Sequence, residues 1–418
     1  MKKNNLKVAL VCDWLTNVGG AEKVILKIHK LFPEAPIYTS KYDPKGIDWF
    51  LDADVRTGRL QRFPTKLRRV LGPLRQRYFS KLDLSGYDLV ISITGAEAKS
   101  VKAPDGLHIS YCHVPTQYYW QMYDDYIKNP GFGVLNPVVR FFFRLMVKPL
   151  RKADLKAAQT PDYFVTISEY AKEQISKYYG REAIVIHPPV EIEDFKLENI
   201  IKKKQGEGKP KLRNKNGENQ SEKKVVLRND FNESQEEGSA QVVENFDITK
   251  AYIATSRQVN WKRIDLAVQA CLMTQRRLLV IGEGPEHKKL VKMAKGSDLI
   301  QFLPLMKKED LAKYLSQAKG YLFPSLEPFG IAPVEALATG CPVIAYCEGG
   351  ARDYVFDGKN GILFKKQTAK SLANAILKFE KMKFNREKIT KTADSFSEER
   401  FDKELTGFID ECVKKRME

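Results

Sequence analysis

The stretch Pro324-Ser-Leu-Glu-Pro-Phe-Gly-Ile-Ala-Pro-Val-Glu335 decides the fold. It follows an apolar run, residues 320–324, that predicts a buried strand, and it leads into a helix predicted over residues 332–339. Glu327 falls on the loop between them, and Glu335 is predicted about two turns into the helix. A helix start offers free backbone N–H groups and a positive dipole end, so a diphosphate can bind there while carboxylates hold nearby hydroxyls. The pattern therefore predicts a nucleotide-sugar site, with a solvated glutamate pair as the alternative.

With Ser-Leu-Glu-Pro-Phe-Gly at its start and Ala336-Leu-Ala-Thr-Gly-Cys-Pro-Val343 after it, this stretch resembles the Glu-x7-Glu motif of retaining glycosyltransferases of family 4. The resemblance extends over nearly the whole chain. It implies that Glu335 binds the ribose hydroxyls and that Glu327 contacts the transferred sugar. It also implies that the backbone amides of Phe329 and Gly330 hold sugar hydroxyls or phosphate.

Short apolar runs alternate with helical patterns in two successive repeats, which predicts an α/β protein with two doubly wound sheets. In the resembled family this layout is the GT-B fold, two Rossmann-like domains facing across a cleft. We predict an acceptor domain over residues 1–190, a donor domain over 247–395, and a terminal helix, 396–418, that crosses back to the first domain. The predicted strands are residues 7–12, 35–39, 89–93, 107–111, 163–166, 183–186, 251–254, 277–281, 300–303, 318–323 and 342–346.

Residues 198–246 depart from the resembled family. They are rich in Lys, Glu, Asn, Gln and Gly and have almost no aromatic residues. Such a segment buries too little apolar surface to offset the entropy lost on ordering. We predict a disordered or mobile insertion.

Two cations follow the strand predicted at residues 251–254. Arg257 ends the strand and Lys262 lies in the loop before the next helix. Ligands of open parallel sheets bind at the carboxyl ends of strands, where these cations can neutralise a departing nucleoside diphosphate. The resembled family has an Arg and a Lys here for that purpose, while a solvated pair of charges is the alternative.

Three further segments are candidates for donor contacts. Gly19 and Gly20 follow the first strand and precede a helix, where the lack of a Cβ lets backbone N–H groups approach a diphosphate. In the resembled family the turn containing Gly282 lies beneath the nucleotide, and the loop containing Leu305 grips the base. An ordinary tight turn is the alternative for each.

His113 follows the strand predicted at residues 107–111, within Tyr111-Cys-His-Val-Pro115. A lone histidine is usually structural, but this one matches the His-x-Pro motif of the resembled family, which places an imidazole beside the donor sugar. We expect no metal and no cofactor besides the donor substrate. Asp124-Asp125 is the nearest approach to an acidic metal clamp, and we interpret it as a solvated surface loop.

The formal net charge of the 418-residue chain is +18, and the excess is uneven. Residues 59–81 contain no acid, and their cations alternate with apolar side chains, which favours a basic amphipathic surface on anionic lipid over an ordinary solvated face or a nucleic-acid site. No stretch approaches the ~20 apolar residues of a membrane span. We predict a cytoplasmic protein, peripheral on the inner face of the cell membrane, with reduced cysteines and no nucleic-acid partner. The cations are Arg59, Arg62, Lys66, Arg68, Arg69, Arg75, Arg77 and Lys81.

The segments around Gly19-Gly20, His113 and His187-Pro-Pro-Val190 look most like bacterial mannosyltransferases of surface polysaccharide assembly. The resemblance implies transfer of a hexose, mannose from GDP-mannose, to a lipid-linked saccharide or polysaccharide. Base and sugar choice depend on a few loop side chains. A UDP-sugar donor and a GT-B nucleotide-sugar epimerase therefore stay open as alternatives.

Overall fold

The computed structural model describes residues 6–65, 71–128, 130, 133–196, 199 and 246–418. The predicted insertion lies outside the described residues, apart from Asn199 and Phe246. Lys66, Arg68 and Arg69 of the basic stretch lie outside them as well.

The first half of the chain forms a seven-stranded parallel sheet in the order β3-β2-β1-β4-β5-β6-β7. Every residue of the first strand is buried, as expected for a parallel sheet covered on both faces. Its strands are β1 (Val8–Cys12), β2 (Ile37–Thr39), β3 (Val55–Thr57), β4 (Leu89–Thr94), β5 (Leu107–Cys112), β6 (Tyr163–Thr166) and β7 (Ile184–Val185). Its helices are α1 (Gly20–Leu31), α2 (Gly72–Ser80), α3 (Tyr123–Lys128), α4 (Asn136–Ala157) and α5 (Glu169–Tyr179).

The second half repeats the arrangement with a six-stranded parallel sheet in the order β10-β9-β8-β11-β12-β13. Its strands are β8 (Ala251–Thr255), β9 (Arg277–Ile281), β10 (Ile300–Leu303), β11 (Gly320–Phe323), β12 (Val343–Tyr346) and β13 (Gly361–Phe364). Its helices are α6 (Ile264–Thr274), α7 (His287–Ala294), α8 (Lys308–Gln317), α9 (Ile331–Ala338), α10 (Ala369–Phe379) and α11 (Arg386–Ala393). The predicted α/β class with two doubly wound sheets is confirmed.

Each sheet changes winding direction beside its first strand, between β1 and β4 in one and between β8 and β11 in the other. Ligands of doubly wound sheets bind outside the carboxyl ends of the strands at this switch point. The loops after β1, β8 and β11 contain Gly19-Gly20, Arg257 and Glu327, and His113 follows β5, the neighbour of β4. The strand order alone thus brings the candidate residues to the carboxyl edges of the two sheets.

The last helix, α12 (Glu398–Met417), returns to the first half. Phe401 packs edge-on against Tyr111 with ring centroids 5.9 Å apart, and the Asp402 carboxylate lies 3.0 Å from Lys27 Nζ. A parallel bridge between Val190 and Ser397 joins the connection between the halves to the start of this helix. These contacts pair the end of the chain with the first sheet.

The sequence patterns missed β3, β13 and the helices α2, α3, α4 and α11. β3 is a short edge strand with two exposed residues, and β13 begins with a glycine. The helix α4 turns much of its apolar side to solvent, so its pattern does not match a core-facing helix. Among the described residues, no helix is long and apolar enough to cross a membrane.

Candidate functional site

Two helix starts from opposite halves meet in the cleft. A Cβ built on Gly20, the first residue of α1, would lie 3.1 Å from Ile331 Cδ1, at the first residue of α9. A helix start in general offers backbone N–H groups that have no acceptor within the helix, together with a positive dipole end. The cleft therefore contains two backbone sites suited to the two phosphates of a diphosphate.

Glu327 lies on the loop after β11, as predicted, with its carboxylate held from two sides. Its Oε2 is 2.6 Å from Lys262 Nζ, and its Oε1 accepts a hydrogen bond of 2.7 Å from Ser325 Oγ. The Glu327 and Lys262 side chains are about four-fifths buried. The backbone behind them is packed against Gly350, whose N–H donates to the Glu327 carbonyl at 2.8 Å. A fixed carboxylate beside an ammonium can hold a sugar hydroxyl and a phosphate side by side.

Glu335 is the fifth residue of α9, in its second turn, and so lies nearer the helix start than the predicted two turns. Its side chain is 12% exposed and lies 3.9 Å from Lys23 Nζ. Burial raises the pKa of Glu335 above its ordinary value, which nearby Lys23 partly offsets. Lys23 of α1 and Lys308 of α8 both form ion pairs with Glu191, which lies in the connection between the two halves. These three charged side chains lie near the Glu335 carboxylate.

Arg257 and His113 meet at one cavity of about 670 Å³ between the halves. The Arg257 guanidinium lies 5.9 Å from the ring centroid of Trp261, and both residues line the cavity with Pro328. His113 enters it from the carboxyl end of β5, and its Nε2 has no hydrogen-bond partner among the described residues. Desolvation lowers the pKa of His113 to about 4, so its imidazole is neutral near pH 7.

The other predicted donor residues are more dispersed. Gly282 has a φ of 117°, and a Cβ there would lie 2.3 Å from the Ser256 carbonyl oxygen, so this turn requires glycine. Gly330, with a φ of 95°, caps α9. Leu305 is 82% exposed on the loop after β10, while the Phe329 side chain is buried in the core, which leaves only its backbone to contact a ligand.

Two buried carboxylates of the first half have partners within the protein. Asp13 accepts hydrogen bonds from Thr94 Oγ1 and the Ala98 N–H, and it joins β1 to the loop after β4. Glu97 is buried and binds Arg75 at 2.8 Å. Arg75 is thus no part of an exposed basic surface, which corrects the prediction for residues 59–81.

Asp124 and Asp125 are exposed in the first turn of α3 and not on a loop. No cluster of three or more His, Cys, Asp or Glu side chains that could hold a metal ion occurs in the part of the chain that the structure describes.

Three residues around the carboxylates were missed from the sequence. Ser325 orients Glu327, and Lys23 faces Glu335 from the opposite half, one turn after the Gly19-Gly20 pair. Lys308 approaches from α8. The Ser325-x-Glu327 spacing could have indicated the first contact, whereas the two lysines depend on how the halves pack.

Part of the chain is similar to known glycosyltransferases. Residues 239–396 match the family model of glycosyl transferases group 1. An uncharacterised glycosyltransferase of Methanocaldococcus jannaschii is 30% identical over 134 residues, which cover 31% of this chain and 37% of that protein. The α-monoglucosyldiacylglycerol synthase of Acholeplasma laidlawii is 36% identical over 94 residues, covering 22% of this chain and 24% of the synthase. The chain thus matches well under half the length of these relatives.

A solved structure extends the likeness to the whole chain. HepE of Anabaena, determined in complex with UDP, superposes with a TM-score of 0.62 at 17% identity, covering 96% of this chain and 100% of HepE. At that identity the likeness concerns the fold alone. Residues 239–396 thus match a group 1 glycosyltransferase domain, and the chain has the GT-B fold.

Proposed function

We propose that the protein is a retaining glycosyltransferase that moves a hexose from a nucleotide-sugar to a lipid-linked saccharide or polysaccharide. The observation that supports this proposal most is that Lys262 and Glu327 form a 2.6 Å ion pair beside the start of α9, next to the cavity that Arg257 and His113 line. Cations for a leaving diphosphate and a carboxylate for a sugar are thereby adjacent.

The site residues then take distinct roles. Glu335 binds the ribose hydroxyls, and the N–H groups at the starts of α1 and α9 bind the diphosphate. Arg257 and Lys262 stabilise the negative charge that develops as the bond between the sugar C1 and the phosphate oxygen breaks. Glu327 and neutral His113 orient the sugar.

Retention of configuration requires the acceptor hydroxyl to attack C1 from the face that the diphosphate leaves. The acceptor proton passes to the departing phosphate oxygen, so the nucleoside diphosphate leaves protonated and the new glycosidic bond forms. No side chain needs to act as a nucleophile. His113 has a pKa lowered to about 4 and does not serve as the general base.

For the donor we propose GDP-mannose, on the likeness of the Gly19-Gly20 and His113 segments to bacterial mannosyltransferases, with a UDP-sugar as the alternative. HepE binds UDP, but its 17% identity does not extend to base choice. The name of the Acholeplasma relative, a synthase of a glycosylated diacylglycerol, supports a lipid acceptor. We further propose that the protein is cytoplasmic and contacts the inner face of the membrane through a surface that includes the exposed Arg59 and Arg77.

A thermal-shift series with GDP-, UDP-, ADP- and dTDP-sugars tests the donor, because only a nucleotide that binds the folded state stabilises it. We expect the largest shift with GDP-mannose, unchanged in EDTA because Arg257 and Lys262 take the place of a divalent ion. A nucleotide shift that vanishes in EDTA contradicts the metal-free site, and no shift with any nucleotide-sugar contradicts the function. Formation of an epimer without acceptor selects the epimerase alternative.

A further inference from the structure

The helix α4 exposes an unusually apolar surface. Val138, Phe141, Phe142, Leu145 and Met146 recur at i, i+3, i+4, i+7 and i+8, the spacing that in most helices is buried against a core. Here Phe141 is 60% exposed, Phe142 59% and Leu145 58%. Soluble proteins rarely expose a contiguous apolar patch of this kind unless it contacts a partner or a membrane.

The charges on α4 indicate which partner. Its one acidic residue, Asp154, is buried and lies 2.6 Å from Lys99 Nζ, so the exposed surface of the helix carries only positive charge. A second copy of this chain would bring two positive helices together, which is unfavourable. Nucleic-acid bases can stack on the rings, but they leave the exposed aliphatic side chains Leu145 and Met146 uncovered. Anionic lipid satisfies both features, because the rings enter the acyl boundary while the cations meet headgroups. The exposed cations are Arg144, Lys148, Lys152 and Lys156.

We propose that α4 lies in the surface of an anionic bilayer and that the cavity beside it receives the apolar chain of the acceptor. The helix is not apolar enough to span a membrane, so it lies along the interface. It packs against α2, where Leu74 is 46% exposed and Arg77 is also exposed. The membrane-facing surface thus extends from α4 onto the end of the basic stretch.

The cavity connects this surface to the candidate site. Phe142 and Met146 belong both to the exposed face of α4 and to the cavity wall, and Phe143 and Leu150 continue the wall. His113 lines the same cavity together with Arg257. A long apolar chain can therefore leave the bilayer along α4 while its polar head reaches the donor sugar. This identification of the acceptor as a long-chain amphiphile rests on the proposed function, whereas the docking surface does not.

The double variant Phe141→Glu/Leu145→Glu tests docking, because neither side chain lines the cavity and both are exposed. We expect the wild-type protein to co-sediment with vesicles of phosphatidylglycerol and phosphatidylcholine. The double variant should bind these vesicles at least ~10-fold more weakly. Met273→Glu is the matched control, since Met273 on α6 is also 60% exposed but lies in the second half. Equal vesicle binding by the double variant and the control overturns the docking surface.

Two further readouts separate the explanations. If light scattering shows a wild-type dimer that the double variant dissociates, and vesicles are not bound, the face is an interface between copies and the proposal fails. If the protein binds vesicles but no nucleotide-sugar raises its melting temperature, the docking surface is retained and the proposed function is rejected.

The chain subsite has its own test in detergent micelles, where docking is not required. Leu150→Trp should weaken binding of a dansyl-labelled long-chain alkyl phosphate ~10-fold by filling the cavity, with the nucleotide-induced thermal shift retained. Met273→Glu should bind the probe like the wild type. Unchanged probe binding by Leu150→Trp overturns the subsite.

Discussion

The two halves of the chain form parallel sheets with similar strand orders, but the side chains at the carboxyl ends of their strands differ. In the second half the charged residues at the strand ends are fixed by partners, as in the Lys262–Glu327 pair. In the first half the side chains that line the cavity are mainly aromatic and aliphatic, and α4 continues them to the surface. The common strand order places the candidate ligand site of each half at the same sheet edge, and the side chains there differ in chemistry between the halves.

The comparison with relatives follows the same division. The family model matches residues 239–396, a range that contains all strands of the second sheet. A donor nucleotide presents a constant arrangement of phosphates and ribose, which constrains the residues around it. Acceptors vary, so we interpret the first half as the part of this chain that is adapted to its own acceptor.

The largest effect is expected when a cation is removed from the second half. Lys262→Ala should lower turnover ~10²-fold or more, because the ammonium stabilises charge that develops only as the diphosphate leaves. Steady-state assays with the donor identified by thermal shift measure the change in kcat. Lys381→Ala, an exposed lysine in the same half, is the control. Equal activity of the two variants would remove Lys262 from the mechanism.

A smaller effect is expected at the ribose. Glu335→Gln should weaken nucleotide binding ~10-fold, because hydrogen bonds to a charged carboxylate are worth ~1.5–3 kcal/mol each and the amide keeps only part of them. Calorimetric titration with GDP and UDP measures the affinity. Glu387→Gln, exposed on α11, should bind like the wild type. Unchanged affinity in Glu335→Gln contradicts its role at the ribose.

The third prediction distinguishes the halves by pH. Burial lowers the pKa of His108 in β5 to about 3, and its Nε2 lies 2.8 Å from Ser92 Oγ. The stability that His108 contributes is fully present above about pH 6.5, its pKa in the unfolded chain. It is lost as the pH falls towards the folded pKa of about 3. The free energy of unfolding should fall by up to about 1.4 kcal/mol per pH unit on that account.

Hydrogen exchange, corrected for its intrinsic pH dependence, can locate this loss. Acidification should reduce protection in β4 and β5 more than in β8 and β11, and His108→Gln should reduce the difference. Equal loss of protection in both sheets of the wild type would show that His108 is not the cause.

Much of the fold was predictable from local pattern. Buried parallel strands give continuous apolar runs, so β1, β9 and β10 were assigned with bounds within a residue or so of those observed. Glycines at Gly282 and Gly330 marked turns where a Cβ would collide with backbone or ring atoms. The Glu327 and Glu335 pair was found because both carboxylates flank a single strand-to-helix turn, which is local in sequence.

Residue types and their order determined the two sheets, the strand ends at which polar side chains collect, and the resemblance that named the candidate residues. Only the tertiary structure decided that Arg75 is buried on Glu97, that Lys23 reaches Glu335 from the other half, and that the rings of α4 remain exposed. The physical reason is that burial and ion pairing depend on segments distant along the chain, whereas strand and turn formation depend mainly on adjacent residues.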